Sequence, residues 1–492
     1  MERLDLLLIK PGDAKKIYGQ LSSNLAAIEP PLWAALLAAY VRAHGQTVKI
    51  IDAEADNLNP DEVSKKVVAD NPRLVCFVVT GNNLAASTWN MSGAREYHQA
   101  LKKAAAKITT LFWGLHPSAL PERTLKEEQP DFVCQGEGFL TIVELIKLLK
   151  GEQKLEDYDV LGLWHVKNGE TKSNPKAALI KDLDQLPPAA WDLLPMDKYR
   201  AHNWHCFQDP DQRQPYGVIY TSFGCPFNCS FCALKTLFNG QPGVRYRSPQ
   251  KVIEDIDELV RKYKVKNIKI TDECFGLKEQ HVVEICDLVI DRGYNLNIWA
   301  YARIDTVSRR MLEKMKAAGV TWIAYGIESG SRKVLQGVSK GRYGREEIKQ
   351  VIEMTKGIGI SIIANFMVGL PDDDRASMQA TLDLAKELNC EYSNLYATMA
   401  YPGSELYAQA LKKKIPLPKT WRGYAALSKE CLPLPTKHLS ADEVLRFRDQ
   451  AFVEIHSQPK YFELIRIKFG QSAVDSVKEM LSHNVERAGA KK

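Results

Sequence analysis

Residues 221–235 read TSFGCPFNCSFCALK. Three of the chain's ten cysteines, Cys225, Cys229 and Cys232, stand there at spacings of four and three, with no fourth close by. A structural zinc ion normally takes four ligands, often as CxxC pairs, so three thiols leave one coordination position open. The stretch continues the apolar run GVIYTS (217–222) and is followed by the helical pattern SPQKVIEDIDELVRKY (248–263). The thiols therefore belong to a strand-to-helix loop, and Gly224 and Pro226 suit a tight one. The spacing leaves two metals open: an iron–sulfur cluster with one iron free for a ligand, or three-thiol zinc with a distant fourth ligand.

Downstream of the thiols, strand-like runs recur at 267–273, 297–303, 322–329, 361–370 and 391–401, each followed by a helical pattern. Six βα units are too few to close an eight-stranded barrel, so an open, partial (β/α)6 barrel is expected. Asp272, Glu273, Arg303 and Glu328 fall at the carboxyl ends of its strands, the face that carries chemistry in βα barrels. The last ninety or so residues are mainly helical, and Ser440 with Glu443 forms a capping box opening a helix to about 457. A second helical stretch covers 471–487.

Upstream, residues 1–150 alternate continuous apolar runs (4–9, 47–52, 73–80, 109–114, 132–136) with helical patterns. That alternation indicates a parallel sheet covered on both faces, a doubly wound Rossmann-like domain whose ligand lies beyond the strands' carboxyl ends. Residues 151–213 form a connector, with a hairpin turning at Asn168-Gly169. The expected division is thus 1–150, 151–213, 214–415 and a helical 416–492 in an α/β protein.

A chain of 492 residues with 45% apolar and 26% charged residues has ample core for these units. The longest apolar run, PPLWAALLAAYV, is too short to span a bilayer. No secretory pattern opens the chain, and a cytoplasmic protein is expected. Net charge is +6, dispersed rather than patched, and no basic-aromatic stretch points to nucleic acid. The seven other cysteines are scattered, several in apolar runs such as RLVCFVVT, and read as small buried hydrophobes.

CxxxCxxC after the first barrel strand resembles the radical S-adenosylmethionine (SAM) superfamily. The resemblance covers 214–415 and includes YGIESG (325–330), FMVGLP (366–371) and MAYPGSELY (399–407). It implies a [4Fe-4S] cluster on Cys225, Cys229 and Cys232, with SAM chelating the free iron. It further implies SAM contacts from Phe231 (adenine), Asp272 and Glu273 (amino group), Arg303 (carboxylate), and Glu328 and Ser329 (ribose or amino acid end).

A doubly wound domain ahead of such a barrel resembles the cobalamin-dependent branch, through PPLWAALLAAYVRAHG (30–45), GLHPSALPE (114–122) and CQGEGFLTIVELI (134–146). This implies cobalamin against Gly114, His116, Pro117, Gly136, Glu137 and Gly138, with Asn82 and Ser87 of TGNNLAASTWN facing the corrin side chains. The loop after the first strand, KPGDAKKIYGQLSSNLAAIEPP, lacks the histidine that many such domains place below cobalt. A base-off cofactor without a histidine ligand is therefore expected. The family implies reductive cleavage of SAM, hydrogen abstraction from a small-molecule substrate, and most often methyl transfer from methylcobalamin to carbon. It also implies a reductant such as flavodoxin or ferredoxin, and identifies no catalytic side chain beyond the cofactor ligands. Radical cyclisation or rearrangement is the alternative within the branch. A methylthiotransferase is the alternative outside it, although only Cys76 and Cys134 stand in 1–150 for a second cluster.

Overall fold

The computed structural model describes residues 3–19, 25–81, 83, 86–152, 158–483 and 485–487. Five apolar runs form parallel strands β1 (Leu6–Lys10), β2 (Val48–Asp52), β3 (Leu74–Val79), β4 (Thr109–Gly114) and β5 (Phe132–Cys134), in the order β2-β1-β3-β4-β5. Every residue of β1 and β3 is buried because helices cover both faces, which is why these strands are continuously apolar rather than alternating. Helices Leu32–Ala43 and Phe139–Lys150 share one core with the sheet. Helices Pro60–Asp70 and Ala86–Ala104 share the other. The first of these starts on a capping box between Asn59 and Glu62, with Pro60 at its first position.

The hairpin β6 (Leu163–Lys167) and β7 (Glu170–Ser173) does turn at Asn168-Gly169, both with positive φ, as a two-residue hairpin turn requires. Rather than bridging to the barrel, it extends the first sheet antiparallel to β5, with Phe132 opposite His165.

The second sheet holds β8 (Tyr216–Ile219), β11 (Asn267–Ile270), β12 (Asn297–Ala302), β13 (Val320–Glu328), β14 (Ser361–Val368) and β15 (Tyr392–Ala397), all parallel and in that order. It is an open six-stranded arc. The short pair β9 (Ser222–Phe223) and β10 (Arg245–Tyr246) runs antiparallel and brackets the cysteine loop. Ser440 and Glu443 cap helix Ala441–His456. Two further helices follow, Pro459–Phe469 and Gln471–Ser482, the first of which the sequence reading did not separate. They set Tyr461, Ile465, Phe469 and Val474 against the inward-facing Trp299 and Trp322, with Trp322 and Phe469 stacked at 5.6 Å. These helices therefore cover the arc's inner wall near the amino ends of its strands.

The two sheets meet through aromatic rings. Trp33, on the first domain's helix, lies 5.2 Å from Trp113 and stacks at 5.1 Å on Phe223 of the barrel. Deeper in, Glu29 reaches Lys269 of β11 at 3.0 Å, both side chains buried. Among the described residues no helix is long and apolar enough to cross a membrane.

Candidate active site

The cysteine loop starts at Gly224, whose φ is +98° and whose Cβ would lie 2.4 Å from the carbonyl of Gly243. Only glycine fits such a close approach. The loop is then tied to its surroundings by Ser230 N donating to Val338 O (3.2 Å) and Leu406 N donating to Ser230 O (3.0 Å). Cys225, Cys229 and Cys232 all open onto one cavity of about 1450 Å³. Burial pushes all three thiols up, Cys232 to about 12, so a bound metal has to supply the charge that ionises them. Among the described residues no three His, Cys, Asp or Glu side chains gather closely enough for a single ion. Three thiols bordering one cavity are the donor set that three irons of a four-iron cluster take.

Of the strand-end residues, Glu273 faces this cavity and its Oε2 is buried with no hydrogen-bond partner among the described residues. Burial, with Asp272 adjacent, raises its carboxyl to about 8. Asp272 is differently placed. Its oxygens accept from Thr221 N (2.7 Å), Thr221 Oγ1 (2.6 Å) and Ser222 Oγ (2.6 Å), so it braces the strand leading to the cysteines instead of facing the cavity. Ser329 is also turned away, its Oγ 3.2 Å from Thr381 Oγ1. Arg303 lies in the cavity but is already spoken for. Nε and Nη2 donate to Asp305 at 2.8 and 2.9 Å, the guanidinium covers the Phe227 ring at 3.7 Å, and Nη1 stands 3.9 Å from Cys229 Sγ.

Glu328 faces the cavity with a φ of +66°, a strained conformation for a residue with a side chain. Its carboxylate accepts from Lys340, which is buried and lies 5.9 Å from the Phe231 ring. Lys340 is a site residue the sequence reading missed. It sits twelve positions past Glu328 in a polar loop, and only the fold brings it back.

The cavity continues to the carboxyl ends of β1, β2 and β3, where Gly12, Asp13, Glu54, Asn57, Ser87, Asn90 and Tyr97 line it. The residues expected there from β4 and β5 are used otherwise. A Cβ on Gly114 would lie 2.3 Å from Val79 O, and one on Gly138 would lie 2.5 Å from Trp113 Nε1. Gly136, at φ +92°, packs by Asn239, and Pro117 is buried. Glu137 is paired with Arg245 at 2.5 Å. His116 is buried, 3.3 Å from Thr88 Oγ1 and 4.4 Å from the Trp421 ring. Ser87 lines the cavity, but its Oγ donates to Val79 O and accepts from His116 N. Asn82 lies outside the described residues.

A strap from the C-terminal part crosses this end. Arg422 bonds Asp13 (2.8 Å) and Glu96 (2.9 Å), and Ala425, Ala426 and Leu427 line the cavity. Cys76 and Cys134 are fully buried in the sheet, which leaves them no face for a second cluster.

The comparisons agree with this architecture. Residues 219–385 match the Radical SAM superfamily model and residues 21–146 the B12 binding domain model. The fold and cavity thus define a radical SAM barrel joined to a B12-type domain. Over 463 residues the chain is 30% identical to an uncharacterized methyltransferase of Pyrococcus horikoshii, covering 94% of each chain. The protein belongs to the cobalamin-dependent radical SAM family, among methyltransferase relatives. It is also 26% identical over 400 residues to the anaerobic magnesium-protoporphyrin IX monomethyl ester cyclase of Rubrivivax gelatinosus, covering 80% of this chain and 68% of that one. Its fold matches the radical SAM methyltransferase TsrM of Kitasatospora setae, solved with cobalamin and a [4Fe-4S] cluster, at a TM-score of 0.72 and 14% identity over 98% of this chain and 100% of that one.

Proposed function

We propose that this chain transfers a methyl group to an unactivated carbon of a small molecule. The observation carrying the proposal is that one cavity joins three thiols and the unpartnered Glu273 Oε2 to the strand ends of the B12-type domain. When bound, the cluster and SAM supply a 5′-deoxyadenosyl radical and cobalamin supplies the methyl group.

In this reading Cys225, Cys229 and Cys232 hold three irons, and Glu273 accepts from the SAM amino group. Lys340, held toward Phe231 by Glu328, directs its remaining N–H groups to the SAM carboxylate, while Phe231 packs against adenine. Arg303 supports the cysteine loop: anchored by Asp305 and laid on Phe227, it donates toward Cys229 and stabilises added negative charge on the cluster. At the other end, the described residues on the strand ends of the first sheet offer the cavity no histidine. The Asp13 and Lys16 charges are occupied by Arg422 and Glu96. A base-off cobalamin fits that surface, within reach of Gly12, Asn57 and Asn90.

Anaerobic reconstitution followed by ultraviolet–visible spectroscopy tests the proposal. Iron–sulfur and corrin bands should both survive gel filtration, and SAM with reductant should yield 5′-deoxyadenosine. A cluster without retained corrin would leave a radical SAM enzyme that does not use cobalamin. Isolation of a ring-closed product without an added methyl group would favour the cyclase reading that the Rubrivivax relative represents.

A further inference from the structure

Below the strand ends, the inner wall of the barrel has a defined shape. β13 turns Ala324 and Gly326 inward, and β12 and β14 stand on either side, with Tyr301 opposite Ala324 and Asn365 opposite Gly326. Two strand spacings separate those walls, about 9.5 Å, over a floor of one methyl group and one glycine. A Cβ on Gly326 would lie 2.6 Å from Lys340 Nζ, so a side chain there would displace the lysine end. The slot is thus wide, shallow-floored and aromatic along one side, where Tyr301 and Trp299 line the cavity.

The opposite side carries two carboxamides, Asn365 and Asn394, set between Ile363, Met367, Tyr392 and Tyr396. Asn394 Nδ2 donates to Asn365 Oδ1 at 2.9 Å, and Asn365 Nδ2 donates to the Tyr325 carbonyl at 3.2 Å. Each carboxamide carries two N–H donors and one carbonyl acceptor. One N–H of each, and the carbonyl of Asn394, therefore have no partner among the described residues while both side chains line the cavity. Exchanging the oxygen and nitrogen of both amides still presents a donor and an acceptor. Charge, by contrast, is matched. The cations turned inward by the barrel strands and their loops are Lys269, Arg303 and Lys340, and their partners are Glu29, Asp305 and Glu328. Apart from Glu273 and Lys340, which the proposed function gives to SAM, the slot offers an ionic group no unmatched opposite charge, and burying it unpaired is costly.

We infer that this slot receives the substrate, and that the part of the substrate lying in it is a flat, uncharged ring bearing adjacent N–H and C=O groups, a lactam-like edge that pairs with Asn394 and Asn365 while its face lies against Tyr301. This rests on the reading of the cavity as the active site. It narrows the substrate class: the ring to be modified enters the barrel edge-on to the amides, and any charged portion stays at the cavity mouth.

The test uses reconstituted protein and three probes of similar size: 2-quinolone, which is flat, neutral and lactam-bearing; quinoline, which lacks the N–H donor; and 2-naphthoate, which is flat and anionic. Binding is read by isothermal titration calorimetry. Expected is a preference for 2-quinolone over both others by about tenfold or more, lost in Asn394→Leu and partly retained in Asn394→Ser, since one good hydrogen-bonded edge contributes about that much. Equal affinity for all three, tighter binding of 2-naphthoate, or an unchanged preference in Asn394→Leu would overturn it. If the leucine variant does not fold, the probe ranking on the unaltered protein and the serine variant decides. Iron–sulfur and corrin absorption are recorded on the same samples. Their absence would count against the proposed function, whereas a missing lactam preference with both bands present counts against this inference alone.

Discussion

The cysteine loop and the glycine loops after β4 and β5 are both conspicuous in the sequence, yet they behave in opposite ways. In the first, the marked side chains end at a cavity with chemistry to spare: three thiols, the unpartnered oxygen of Glu273, and Lys340 against Glu328. In the second, the marked residues are consumed by the protein. Gly114 makes room for Val79 O, Gly138 for Trp113, and Glu137 holds Arg245. A glycine reports that something comes close, and a thiol reports what it will bind. Only the second kind of signal names a ligand.

The comparison can be broken most decisively at Cys229. Cys229→Ala should abolish iron–sulfur absorption and reductive SAM cleavage, whereas Cys286→Ala should keep both; cleavage surviving in the Cys229 variant would remove the cluster assignment. Next in size is Gly114→Ala. Its Cβ cannot coexist with Val79 O at the observed φ of +145°, so a loss of about 3 kcal/mol is expected. It should appear as a lowered melting temperature with and without cobalamin. An unchanged melting temperature with lost corrin uptake would return Gly114 to the cofactor.

Lys340→Met should weaken SAM binding about tenfold or more, the usual effect of losing a charge-assisted contact, with the cluster absorption intact. A smaller effect is expected in the pH dependence. Glu273, raised to about 8, is largely protonated at neutral pH and accepts best from the amino N–H groups of iron-bound SAM once ionised. SAM affinity should therefore rise with pH up to about 8, by at most tenfold per unit, and Glu273→Gln should flatten the rise. The smallest change is expected at Arg303→Met: a lower midpoint potential of the cluster in an EPR redox titration, at nearly unchanged SAM affinity. A large loss of SAM affinity instead would restore Arg303 as the carboxylate partner.

The strands of both sheets were legible because buried parallel strands must be continuously apolar, and β4 and the helices at 60–70 and 139–150 begin and end where their caps and patterns say. The hairpin was visible too, but its partner was not, since pairing with β5 depends on where the chain returns in space. At the site, the cysteines were legible from spacing. Asp272 and Glu273, adjacent in sequence, could not be separated without knowing which side of β11 each takes. One turns to Thr221 and Ser222, the other to the cavity. Lys340 carries no local signal, as its role depends on a loop folding back over Phe231.

The Arg422 strap also sets a clock on biosynthesis. It closes on Glu96 across 326 residues of chain. From the end of the first domain at Lys150, 272 residues remain to Arg422, so at a ribosomal rate of about 5–20 residues per second that domain is in the growing chain for roughly 14–54 seconds before the residue that fastens it exists. Early in that interval, before the barrel strands between Tyr216 and Ala397 are made, the mouth of its groove has neither strap nor barrel over it, and a cofactor as bulky as a corrin has its widest entrance while the polypeptide is still being made.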